Sequence, residues 1–179
     1  MRLFLGIEIP ESIKTILWDQ LDLLRKEHPE YQWIPKENYH ITLDFLGEQY
    51  SMQEIIAKVD SVLFDMSDFY LYGRTLNVFL DKNIKIFVEF YRQKKLEELY
   101  LKIKNHIPVN KYAKDDFIPH ISISQSRPSS KQQYFALQKK LSKIEIDIEF
   151  QVKKIVLFQS IVINHTRTFK KEKVFFLGK

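Results

Sequence analysis

The chain has 179 residues, 45% of them hydrophobic and 14% aromatic, which supplies one sizeable core and argues against a disordered segment. It contains no cysteine, so disulfides, zinc–thiolate sites and cysteine nucleophiles are excluded. The net charge of +5 is uneven: residues 127–179 hold 12 Lys and Arg against 4 Asp and Glu, a basic C-terminal part that either draws in a polyanion or is a solvated lysine-rich surface.

Residues 2–9 read as a strand, and Pro10 with Glu11 opens a helix. Ile13, Ile16, Leu17, Leu21 and Leu24 keep helical spacing up to His28-Pro29. A short strand is expected at 31–34, a turn at 35–38, and a strand over 39–46 ended by Gly47. Ser51 and Glu54 form a capping-box pattern ahead of Ile55, Val59, Val62 and Leu63, which predicts a second helix. Two runs rich in aromatic and β-branched residues, 69–80 and 84–91, flank Asp81-Lys82-Asn83 and read as a hairpin. A third helix is predicted over 93–105, with Leu96, Leu99 and Ile103 inward. The strand over 119–125 begins at Pro119, where a missing N–H is tolerated. Ser129 and Ser130 ahead of Gln132 and Gln133 predict the cap of a fourth helix, with Tyr134, Leu137 and Leu141 on one face. Strands over 144–150, 153–163 and 168–177 follow, the last two joined by a turn at Asn164-His165-Thr166. Helices interleaved with tandem strands predict an α+β protein with largely antiparallel sheet. No apolar run approaches the ~20 residues that span a bilayer, and the N-terminus lacks a signal-peptide pattern; a soluble, cytoplasmic protein without membrane association is expected.

Two segments share one pattern: His40-Ile41-Thr42-Leu43 and His120-Ile121-Ser122-Ile123, 80 positions apart. In a strand, each histidine stands beside its hydroxyl while the aliphatic residues turn to the core. The halves of the chain also resemble each other weakly, as an internal duplication would leave them. Two imidazoles with ordinary pKa values near 6.5 can hold opposite protonation states near neutrality, one accepting a proton while the other donates. Thr42 and Ser122 can donate to non-bridging phosphate oxygens. That constellation suits in-line displacement at phosphorus.

The paired motifs, with MRLFLGIEIP at the start, WIPKENYHITLDFLGE over 33–48, FIPHISIS over 117–124 and KIVLFQS over 154–160, resemble the 2H phosphoesterases. Within them the chain is similar to the RNA 2′,3′-cyclic phosphodiesterases, also called 2′-5′ RNA ligases (LigT-like), nearly end to end. The resemblance implies a single bilobal domain over 1–179, α+β, with two pseudo-symmetric lobes of antiparallel sheet and flanking helices around a central cleft. It also implies metal-free hydrolysis, with no cofactor, of a 2′,3′-cyclic phosphate on RNA or an oligonucleotide to a 2′-phosphomonoester; a monomer is expected. His40 would then be the proton donor to the leaving oxygen, His120 the proton acceptor from water, and Thr42 and Ser122 the phosphate-binding hydroxyls. Relatives commonly carry an arginine five positions after the second histidine; here that position is Gln125, with Arg127 two further on.

Phe4, Trp33, Tyr39, Phe117 and Phe158 are candidates for stacking on a base, most of them expected in the core. Arg127, Lys153, Lys154 and Arg167 are candidates for holding a phosphate or the RNA backbone, or are ordinary surface charges. His28, His106 and His165 read as solvated, and no third ligand completes a zinc site with His40 and His120. Two alternatives remain open: cleavage of 2′-5′ linked or other cyclic nucleotides, and a non-catalytic RNA-binding module.

Overall fold

The computed structural model describes residues 2–47, 51–80, 83–107, 117–126, 131–163 and 166–178. Arg127, the Ser129/Ser130 cap, Asp81-Lys82 and Asn164-His165 lie outside the described residues. Strand β1 (Arg2–Glu8) is followed by α1 (Glu11–Gln20), α2 (Asp22–Glu27), the short β2 (Gln32–Trp33) and, after a 3-10 turn at Lys36–Asn38, β3 (His40–Gly47). Then come α3 (Met52–Leu63), the hairpin strands β4 (Phe69–Leu80) and β5 (Ile84–Phe90), α4 (Lys94–His106) and β6 (His120–Ser126). Helix α5 (Lys131–Leu141) leads to β7 (Glu149–Val152), β8 (Lys154–Ile163) and β9 (Thr166–Phe176).

The strands form one curled sheet in the order β7-β4-β5-β6-β3-β1-β8-β9, with β2 against β6, and the pairings are antiparallel. Its centre is the pairing of β3 with β6, where Ile41 faces Ile121. From that centre the order is symmetric: each histidine strand is followed outward by three more strands. The protein is thus α+β, with two pseudo-symmetric lobes of antiparallel sheet, flanking helices and a central cleft. The lobes are not successive halves of the chain. The lobe of β3 takes β1 together with the C-terminal β8 and β9, while β4, β5, β6 and β7 make the other.

One face of the sheet is buried under helices. Leu3, Leu5 and Ile7 of β1, Ile41 of β3 and Ile121 of β6 join a single core with Leu17 of α1, Ile55 and Val59 of α3, and Leu99 and Ile103 of α4. Ile41 and Ile121 are fully buried, each stabilising the fold by roughly 1.5–3 kcal/mol. Helix α3 starts as its sequence predicts: the Ser51 hydroxyl accepts from the Glu54 N–H while the Glu54 carboxylate accepts from the Ser51 N–H. The helix expected over 11–27 is jointed at Leu21, although its bonding carries through: the Leu21 N–H donates to the Leu17 carbonyl and the Arg25 N–H to the Leu21 carbonyl.

The strand expected over 144–150 begins only at Glu149. Ile146 and Ile148 are buried, so the alternation there marks a buried face and not a continuous ladder. The register of β4 shifts between Gly73 and Thr75, and the 144–148 segment makes single bonds across that shift, Gly73 N–H to the Ile148 carbonyl and Ile146 N–H to the Arg74 carbonyl. Gly6 is required by close approach: a Cβ there would stand 2.9 Å from the Ile41 carbonyl oxygen and 3.3 Å from the Phe158 ring. Gly6→Ala is expected to destabilise the protein by about 1–3 kcal/mol through overpacking of the β1–β3 pair. Thermal unfolding checks this, and an unchanged Tm would mean the strands separate freely.

Candidate active site

Both histidine strands are built alike. In β3, His40 and Thr42 are half-buried and stand on the cleft face, with Ile41 and Leu43 buried beneath; in β6, His120 and Ser122 do so above Ile121 and Ile123. Counting outward from the Ile41–Ile121 pair in antiparallel register sets each histidine across from the other strand's hydroxyl residue. Each strand then carries a bulge at the same place. Leu43 is the extra residue between Thr42 (opposite Gly6) and Asp44 (opposite Leu5), and Ile123 is the extra residue between Ser122 (opposite Phe87) and Ser124 (opposite Ile86). A bulge reverses the side-chain parity beyond it. Asp44 and Ser124 therefore turn toward the interior, and the residues five after each histidine, Phe45 and Gln125, return to the cleft face.

The two imidazoles are held in the same way. His40 Nδ1 lies 2.7 Å from the Asn38 carbonyl oxygen, and His120 Nδ1 lies 2.7 Å from the Ile118 carbonyl oxygen, two residues upstream in both cases. A carbonyl only accepts, so each Nδ1 carries a proton and donates it. Nε2 is then the titrating atom of both rings. Aromatic walls complete the pockets. Phe169 lies edge-on to His40 at 4.6 Å between ring centres, with Phe4 at 5.1 Å and Phe158 at 6.0 Å. Phe79 and Phe87, stacked on each other, lie edge-on to His120 at 5.1 and 5.3 Å.

A glutamate stands across from each histidine on the neighbouring strand: Glu8 opposite His40 and Glu89 opposite His120. Both are neutralised from further out. Lys154 reaches Glu8 at 2.7 Å and Lys171 contacts it as well, while Arg74 lies 3.3 Å from Glu89 and the Asn77 amide donates to the same carboxylate. Burial works to raise the pKa of Glu8, but the hydrogen bonds and charges of Lys154 and Lys171 outweigh it and hold the carboxyl below its ordinary value. A pocket of about 250 Å³ opens beside His40, walled by Glu8, Lys14, Asn38, Phe158, Phe169 and Lys171.

The family model of the 2′-5′ RNA ligase superfamily matches residues 10–164, most of the chain. The chain belongs to that superfamily. Among curated relatives, it is similar to the RNA 2′,3′-cyclic phosphodiesterase of Thermotoga maritima, 26% identical over 135 residues and covering 70% of each chain. Among solved structures it is similar to E. coli LigT complexed with 3′-AMP, with a TM-score of 0.76, 19% identity and coverage of 99% of this chain and 98% of that one. The protein TT0787 of Thermus thermophilus gives a TM-score of 0.74 at 18% identity, covering 99% of this chain and 98% of its own. The superfamily's 2H phosphoesterase fold is therefore present from end to end. Among the described residues no helix is long and apolar enough to cross a membrane.

The structure brings His40, Thr42, His120 and Ser122 of this superfamily member together on the cleft face. Phe4 and Phe158 stack on each other at 5.1 Å and are nearly fully buried, so they wall the His40 pocket from below. Tyr39 is 2% exposed, packed in the core near Trp18, and lines the pocket beside His40. Phe117 stacks on Tyr100 at 4.1 Å, and the Trp33 indole donates to the His28 carbonyl, which accounts for both without a ligand. Lys153 is exposed between β7 and β8, and Lys154 is committed to Glu8. The sequence reading missed Glu8, Phe79, Lys85, Phe87, Glu89, Phe169 and Lys171. The alternation of β1 and β5 already put Glu8, Phe87 and Glu89 on one face of their strands. Only strand pairing says which histidine they serve.

Both histidines titrate below the ordinary value. For His40 the main cause is burial, opposed by the bond to the Asn38 carbonyl and reinforced by the positive charges of His120 and Lys14. For His120 it is again burial, opposed by the Ile118 carbonyl and reinforced by Lys85. The unfolded chain therefore binds more protons than the folded one. Stability from these two groups is present above about pH 6.5 and is lost as pH falls through their folded pKa values. An NMR titration of the ring protons is expected to show two histidines with pKa below 6.5, absent in His40→Ala and His120→Ala respectively. Saturating inorganic phosphate is expected to move both upward, since an anion favours the charged rings. Titration of both rings at or above 6.5 in the free protein would contradict their desolvation.

Proposed function

We propose that the protein is a metal-independent phosphodiesterase that opens 2′,3′-cyclic phosphate ends of RNA to 2′-phosphomonoesters. The reading rests on one observation: two imidazoles, each with Nδ1 tied to a carbonyl and Nε2 left to titrate, stand beside two hydroxyls on antiparallel strands. In this reading the cyclic phosphate lies between them. His120 Nε2 takes a proton from water as the water oxygen bonds to phosphorus; the bond from phosphorus to the 3′ oxygen breaks, and His40 Nε2, protonated in the productive complex, gives its proton to that oxygen. Thr42 and Ser122 donate to the non-bridging oxygens, where negative charge rises in the transition state. In the reverse, ligating direction the two histidines exchange roles. The name carried by the Thermotoga maritima relative and the nucleotide named with E. coli LigT support this substrate class.

A short RNA ending in a 2′,3′-cyclic phosphate, incubated with the purified protein and EDTA, tests the proposal. Conversion to a 2′-phosphate at a rate unaffected by the chelator is expected. His40→Ala and His120→Ala are each expected to lower kcat by about 10²–10⁴-fold, the usual worth of a general acid or base, with RNA binding retained. Wild-type turnover in either variant would sink the two-histidine mechanism, and activity lost to EDTA but restored by added metal would replace it with a metal-assisted one. Turnover confined to a 2′-5′ linked dinucleotide or another cyclic nucleotide would reassign the substrate. Binding without turnover of any of these would leave a non-catalytic RNA-binding module.

A further inference from the structure

The pseudo-two-fold relation between the lobes breaks on the cleft face beside the two bulges. In the lobe of His40, the bulge sets Phe45 opposite Phe4, their rings 5.8 Å apart. The equivalent bulge in the lobe of His120 sets Gln125 opposite Lys85 of β5, with Gln32 of β2 opposite Gln125 on its other side. An aromatic pair on one side thus corresponds to a polar row, Lys85-Gln125-Gln32, on the other. Lys85 is also the strand partner of Phe79, whose ring lies against His120, so its side chain shares the face that carries that imidazole.

Four of the described cations around the cleft are already committed. Lys14 is buried, 3.3 Å from Glu11, and donates to the Glu37 carbonyl. Lys154 and Lys171 are held by Glu8, and Arg74 by Glu89. Lys85 is exposed, and among the described residues no carboxylate is paired with it. Among the described residues, the positive charges that act on the two imidazoles are, besides that of His120 on His40, Lys14 on His40 and Lys85 on His120. Of these two lysines, one is immobilised; the other, exposed and with no carboxylate partner among the described residues, rides on a flexible four-carbon stem.

A phosphodiester entering this cleft is an anion that leaves water for half-buried imidazoles, hydroxyls and aromatic rings. In the proposed reaction the protonated His40 is directed at the leaving oxygen, so the non-bridging oxygens meet the neutral hydroxyls of Thr42 and Ser122. Neutral donors alone compensate such a transfer poorly, and a charge-assisted bond roughly doubles what each donor contributes. We infer that Lys85 is an anion-binding residue of the cleft, its ammonium donating to a non-bridging oxygen of the phosphate held between His40 and His120. This inference rests on the reading of the site as a phosphodiesterase, but its anion-binding part is measurable without turnover. Lys85 also makes the site directional, because the equivalent place in the other lobe is apolar.

The test compares Lys85→Gln, Lys85→Arg and, as a control for overall charge, Lys173→Gln, an exposed lysine on β9 opposite Leu157. Two quantities are read for each: the dissociation constant of inorganic phosphate by calorimetry, and kcat/KM on a 2′,3′-cyclic mononucleotide, whose only phosphate is the scissile one. Lys85→Gln is expected to weaken phosphate binding and to lower kcat/KM by about 10- to 100-fold each, the range of one charged hydrogen bond. Lys85→Arg keeps the charge and is expected to stay within about 3-fold of wild type, and Lys173→Gln to match it. Unchanged phosphate binding and turnover in Lys85→Gln would overturn the inference. So would a loss of turnover that leaves phosphate binding intact and is not restored by arginine, since that marks a structural role. If wild type fails to open the cyclic phosphate while Lys85→Gln still weakens phosphate binding and Lys85→Arg preserves it, the proposed reaction falls and the anion site stands.

Discussion

The antiparallel contact of Ile41 with Ile121 is the constraint on which the rest of the site depends. Those two side chains are fully buried where the lobes meet, and their burial fixes the register of β3 against β6. A slip of one residue would turn both histidines and both hydroxyls into the core and bring the isoleucines into the cleft, so burial and the presentation of the site are one condition. The equal bulges at Leu43 and Ile123 extend that control. They turn Phe45 and Gln125 outward without disturbing the aliphatic residues beneath, and so determine which chemistry each lobe shows at its rim.

Desolvation shapes what these groups can do. Packing edge-on against phenylalanines takes both imidazoles out of water and pulls them toward neutrality, while the Asn38 and Ile118 carbonyls leave each with Nε2 as its working nitrogen. Two carboxylates stand one strand away, and both are matched by cations from further out, Glu8 by Lys154 and Lys171, Glu89 by Arg74. The glutamates therefore add little repulsion toward an incoming anion. The basic residues of β8 and β9 that give the C-terminal part of the sequence its positive charge are partly spent in this neutralisation, and their number alone says little about a polyanion track.

Much of the fold was legible because local signals agreed with one another. The capping box at Ser51 and Glu54, the alternation of 84–90 and the leucine and isoleucine spacing of 94–106 are short-range patterns with direct physical causes, and the elements formed there. The region 144–148 misled for the reverse reason. Its alternating isoleucines record burial, whereas ladder pairing depends on a partner strand whose register breaks near Gly73. Of the aromatic candidates for a base, most of them expected in the core, Tyr39 is buried there and Phe117 stacks on Tyr100.

The sequence by itself determined the pair of histidines, the hydroxyl beside each, and the alternation that lifts all four out of the core, because these follow from the period of a strand. It also carried the family resemblance, through segments at both motifs, at the start of the chain and over 154–160. Tertiary structure alone decided that β8 and β9 return to the N-terminal lobe, and that Glu8, Glu89, Phe79 and Lys85 gather around the imidazoles. It also decided, through the two bulges, which residue five places after each histidine meets the cleft. Those outcomes rest on pairing between strands distant in the chain, and no local pattern encodes which strand will lie beside which.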